Sequence, residues 1–153
     1  MIQDLNRPRQ VSFLDALDST SDGTTHEPDV LSLNPLDLPQ QNTEFWRQKF
    51  TDVGSSAFYF VSDAAVPVVL YVGETGQANS RWKGEHDCKR YLMNYVELHR
   101  RYELPVTVQI GFYPEAPEET RARQQLEQSL IQIWRSPFNK ENWQHWGKPF
   151  GAD

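Results

Sequence analysis

The sequence predicts an α+β domain: a small three-stranded antiparallel-type sheet flanked by helices, preceded by an N-terminal arm. Three observations predict it. Ala57-Phe-Tyr-Phe-Val-Ser62 and Val68-Val-Leu-Tyr-Val72 are β-branched and aromatic runs joined by a short loop containing Pro67, the pattern of a β-hairpin. Val106 to Tyr113 alternates apolar and polar residues with period two, which adds a third strand. Two longer segments repeat apolar residues at helical spacing. The resulting order, β-β-α-α-β-α, is that of a small antiparallel sheet with helices packed on it.

Taken in order, residues 1–44 read as an acidic, flexible arm. They are rich in Ser, Thr, Asp, Asn and Pro, a composition that cannot offset its own ordering entropy. Two apolar islands, Val11 to Leu17 and Val30 to Leu33, offer places to dock on the domain or on a protein partner. The domain proper is assigned to residues 45–143. Both hairpin runs are apolar on both faces, which places at least one of them centrally in the sheet. Gly73 to Ser80 is polar turn material, followed by a short helix that begins near Arg81. Asp87 is a natural N-cap for a helix reaching about Tyr102, with Cys88, Leu92, Tyr95, Val96 and His99 along one side. Pro117, followed by Glu118 and Glu119 at its positive end, opens a second long helix that ends about Arg135, before Pro137. Residues 144–153 form a tail; with Trp143 it carries the aromatics Trp146 and Phe150, which pack on the domain or on a partner.

Composition narrows the function classes. The chain has 153 residues, enough for one domain with a real core. Its single cysteine, Cys88, excludes an internal disulfide and a cysteine metal cluster, in keeping with a reducing, cytoplasmic setting. No stretch approaches the ~20 apolar residues of a membrane span, and the first ten residues do not resemble a signal peptide. The net charge of −6 is unusual for a partner of nucleic acid. It is unevenly placed, however. Residues 1–44 hold two bases and eight acids, whereas residues 45–153 hold 13 of each. The domain therefore has neutral balance, with basic pairs at Lys89/Arg90, Arg100/Arg101 and Arg121/Arg123.

Several residues stand out chemically. If the hairpin turns about Ala65, Tyr59 lies directly opposite Tyr71, and the two phenols share one face. They are either ordinary core tyrosines or a pair at a site. Arg81 follows a Gly-containing turn at a helix start, where phosphate can be held. On the last helix, Ile133, Leu126, Leu130, Trp134 and Ile131 span an arc of roughly 160°, and Glu127 falls inside it. A carboxylate in that position needs an arginine partner or a hard cation. Asn139, after Pro137-Phe138, can tie a turn or hold the helix end in register.

Together these segments resemble the GIY-YIG nucleases, the family of the bacterial excision-repair incision subunit and related endonucleases. The resembling segments are Ala57-Phe58-Tyr59, Tyr71-Val72-Gly73-Glu74-Thr75, Arg81 ten residues beyond Tyr71, and Glu127 through Asn139. The resemblance implies hydrolysis of DNA phosphodiester bonds with one Mg²⁺ or Mn²⁺. Glu127 would bind the metal and Arg81 the scissile phosphate. Tyr59, assisted by Tyr71, would orient or activate the attacking water, and Asn139 would support the site. A phenol with pKa ~10 is a poor base at neutral pH, and a nearby metal and arginine would favour its ionised form.

The chain departs from the family pattern in three places. Ala57 and Phe58 replace the glycine and isoleucine of the first motif. The tyrosines lie 12 residues apart, about one more than usual, which implies a longer hairpin loop. Glu74 stands where several relatives have a base, and it is expected to point away from the phosphate or reach the metal through water. His86, five residues past Arg81, is a further catalytic candidate or a structural histidine; His99 is read as structural. The competing reading is a GIY-YIG fold used only to bind nucleic acid or protein, without catalysis.

Overall fold

The computed structural model describes residues 29–41, 56–76 and 87–151. It is an α+β fold built on a four-stranded antiparallel sheet. The strands are β1 (Gln40–Gln41), β2 (Ala57–Asp63), β3 (Val68–Thr75) and β4 (Val108–Tyr113), in the spatial order β1-β4-β2-β3. The helices are α1 (Asp87–Arg101), α2 (Thr120–Trp134) and the short α3 (Trp143–Trp146).

The fourth strand was not expected. Gln40 and Gln41, from the segment read as an arm, pair with Gly111 and Ile110 of β4. Just before it, a 3-10 turn at Pro35–Asp37 is capped by Asn34, whose side chain accepts from the Leu36 amide. Val30 is buried, and Leu31, Leu33 and Leu38 pack beside it.

Every residue of β2 is buried, as two-sided apolarity requires of a central strand. Its two faces feed two cores. Tyr59 and Val61 join Val108, Ile110 and the α1 residues Cys88, Tyr91 and Leu92. Phe58 and Phe60 join Val72 and the α2 residues Leu130, Ile131 and Trp134. The sheet is thus a middle layer between two helices.

The hairpin register differs from the expected one. Tyr59 pairs with Gly73, and Tyr71 with Val61, so the tyrosines are diagonal rather than directly opposite. The shift is two residues, which preserves the shared face because side chains alternate with period two. It arises from a four-residue connection, Ala64 to Pro67, and from a bulge at Leu70, which lies between Tyr71 and Val69, the partners of Val61 and Ser62. One residue of the spacing between the tyrosines is taken up by this bulge. Gly73 to Thr75, expected as turn, extends β3.

Element ends are set by long-range contacts. Fully buried Asp63 accepts from the Ala65 amide at 2.9 Å, the Thr107 amide at 2.8 Å and the Tyr95 hydroxyl at 2.9 Å. The Thr107 amide is thereby turned to a side chain, and β4 begins at Val108 instead of Val106. Glu119 caps α2 by accepting from the Arg121 and Ala122 amides at 3.0 and 2.6 Å, so the helix starts three residues beyond Pro117. Arg135, in the left-handed region at φ 44°, ends it. The tail packs on the domain: the Phe150 ring lies 6.5 Å from Tyr91 and 6.1 Å from Phe138. No helix among the described residues is long and apolar enough to cross a membrane.

Candidate active site at the outer rim of β3

Strand β3 is an edge strand of the sheet, so every second amide faces away from β2. Two side chains from the C-terminal half of the chain meet that rim. Asn139 accepts from the Val72 amide and donates to the Val72 carbonyl, both at 2.9 Å. In doing so its amide stands in for a neighbouring strand. Two residues further along, the Glu74 amide donates to Glu127 Oε1 at 3.1 Å. The Phe138 amide, in turn, donates to the carbonyl of the bulge residue Leu70 at 3.0 Å.

The segment after α2 is braced to make this docking repeatable. Buried Ser136 donates to Asn139 Oδ1, and the Asn142 amide group donates to the Ile131 and Ser136 carbonyls at 3.1 and 3.0 Å. Orphan carbonyls at the end of α2 are satisfied in this way, and Asn139 is fixed relative to Glu127.

Beside the rim lies a cleft of about 840 Å³. Tyr71, Glu127 and Asn139 line it, together with Asp87, Tyr91 and Lys140. The structure therefore brings three of the six sequence candidates to one cleft. Tyr59 is fully buried behind it. Its ring stacks on Tyr71 at 6.0 Å and 27°, and it lies across Gly73, where an added Cβ would come within 2.2 Å of the phenol oxygen. Only glycine leaves room for that ring. Arg81 and His86 lie outside the described residues. His99 packs on Tyr95, with ring centroids 4.1 Å apart and Nδ1 2.8 Å from the Tyr95 carbonyl.

Glu74 has a role that the sequence reading did not assign to it. Its carboxylate is paired with Arg123. Arg123 is only 5% exposed and also donates to the Pro117 and Glu118 carbonyls at 2.9 Å each and to Ser56 Oγ at 3.3 Å. The basic pair Arg121/Arg123 thus presents no free guanidinium at Arg123. Arg101 pairs with Glu97 at 3.1 Å, at the far end of α1. Of the three basic pairs, Lys89/Arg90 is the one that lines the cleft.

A metal site here would be lean. Among the described residues no group of three or more His, Cys, Asp or Glu side chains is placed to hold an ion. A single half-buried carboxylate beside an open cleft still suits Mg²⁺, which keeps several waters and takes one or two carboxylates plus substrate oxygens.

Comparison with known proteins adds no assignment: no family model, no curated protein and no solved structure matches the chain.

Proposed function

We propose that the chain is a metal-dependent endonuclease of GIY-YIG type that hydrolyses DNA phosphodiester bonds. One observation carries the reading. Glu127, a half-buried carboxylate in the apolar arc of α2, is seated on the β3 rim in a cleft shared with Tyr71 and Asn139. Those residues are the ones the motif spacing singles out.

In this reading Glu127 holds the cation, with a rim amide fixing one of its oxygens. A bound Mg²⁺ or Mn²⁺ supplies positive charge to the phosphoryl oxygens as negative charge grows on them. Of the two motif tyrosines, Tyr71 is the one that lines the cleft and Tyr59 is fully buried, so the roles implied by the resemblance are exchanged: Tyr71 orients the attacking water, and Tyr59 backs it from the core. Arg81 supplies a guanidinium for the scissile phosphate. Asn139 holds the rim to which the carboxylate is attached. Pairing of Glu74 with Arg123 weakens one argument for a binding-only module, since the charge of that acid is balanced within the domain.

A plasmid-nicking assay with and without Mg²⁺ tests the reading. Glu127→Gln keeps an oxygen able to accept from the Glu74 amide, so the fold should persist while Mg²⁺-dependent nicking disappears. Undiminished nicking by that variant would sink the assignment. Tyr71→Phe should lower the rate at least ~10-fold, as loss of a proton-handling group does, and Tyr59→Phe should lower it less.

A further inference from the structure

Arg123 is a cation placed where solvent hardly reaches. Its neighbours are two carbonyls, the Ser56 and Thr120 hydroxyls and the Glu74 carboxylate. Glu74 faces two ways: its carboxylate is held by Arg123, and its amide is donated to Glu127. Arg123 and Glu127 themselves rise from α2 one turn apart, on the same side of the helix. The contacts close a ring: guanidinium, Glu74 carboxylate, Glu74 amide, Glu127 carboxylate, and back along one turn of α2.

We infer that Arg123, acting through Glu74, is a positioning residue for the Glu127 carboxylate. The inference rests on the reading of Glu127 as the metal ligand. The guanidinium has five donors in a rigid fork, and here they reach α2's own N-terminal approach, β3 and Ser56 at once. It therefore fixes the rotation of α2 against the β3 rim, which decides where the Glu127 oxygens lie. Arg123 also engages Glu74 so that a second carboxylate does not compete for the cation. Its reach extends past the end of β3: a Cβ on Gly76 would sit 3.2 Å from Nη2, so the guanidinium lies against the backbone there.

Arg123→Lys keeps the charge but replaces the fork with a single ammonium. Glu74→Gln keeps the backbone amide and nearly the same shape while removing the paired charge. In the full chain, amide hydrogen exchange and Mn²⁺ titration without DNA read the two halves of the ring separately. Arg123→Lys should lower protection of the Glu74 amide by about 10-fold, with the Val72 amide, held by Asn139, unchanged. Mn²⁺ affinity should fall by ~10-fold or more, the usual consequence of removing a group that orients a ligand. Glu74→Gln should move both quantities in the same direction by less.

Unchanged Glu74 protection in both variants overturns the proposal. Equal loss at Val72 overturns it too, since Arg123 would then only stiffen the whole rim. If Glu127→Gln binds Mn²⁺ as tightly as the native chain, the metal reading fails, and the amide comparison still decides the positioning role.

Discussion

At the scale of single residues, the rim of β3 depends on a few side chains with no substitute. Asn139 satisfies both the amide and the carbonyl of Val72 at a buried position. Asn139→Ala leaves both groups unpaired, and at about 1–3 kcal/mol for each buried polar group the expected loss is about 2–6 kcal/mol. Urea unfolding measures it; a loss below ~1 kcal/mol would mean that water or a neighbour replaces the amide. Gly73→Ala places a methyl 2.1 Å from the Tyr59 ring, so ring or strand must shift, at a cost of about 1–3 kcal/mol. Thermal unfolding checks that outcome, and a lower nicking rate should accompany it. Glu127 was legible in the sequence because a carboxylate inside an apolar arc is expensive. Arg123 obeyed the same rule: on the helical wheel it lies ~40° from Glu127, between Trp134 and Leu130, one turn before the stretch that showed the arc. Gly73 was legible only as part of a motif, since its need for space comes from Tyr59, fourteen residues earlier.

At the scale of elements, strands and helices could be read from periodicity, but their ends could not. Asp63 sets the start of β4 and ties the hairpin to α1 through Tyr95, contacts that span 44 and 32 residues of sequence. Burial, followed by the hydrogen bond and charge of Asp63, pushes the Tyr95 phenol above the ordinary tyrosine range. The folded state therefore holds this proton more tightly than the unfolded chain does. The corresponding stabilisation is fully present below the ordinary phenol pKa of ~10 and is lost as pH rises beyond it. Tyr95→Phe should lower stability at neutral pH by about 1–2 kcal/mol, because Asp63 loses a donor, and should flatten the decline above pH ~10. Denaturant midpoints across pH 7 to 11 would show it; equal slopes in both proteins would reject the assignment.

At the scale of the molecule, the acidic arm is where the sequence was least informative. A two-residue strand has no periodicity, and Gln40-Gln41 carries no β signal of its own. Its pairing is decided by Gly111 and by the apolar surface that receives Val30. Deleting residues 1–41 should thus remove a strand along with a charge tail. With Val30 buried and three leucines packed beside it, the loss should be about 3–5 kcal/mol, a clear drop in Tm. A truncated domain as stable as the full chain would contradict the packing. The outer rim of β3 has a last consequence. A bare strand edge is a template on which another chain can zip, and proteins must blunt it. Here the blunting is done by Asn139 and Glu127, side chains that also line the cleft. Any change that empties this site of its polar contacts also uncovers an adhesive edge. Damage at the site should surface as self-association, seen by light scattering, as well as lost activity.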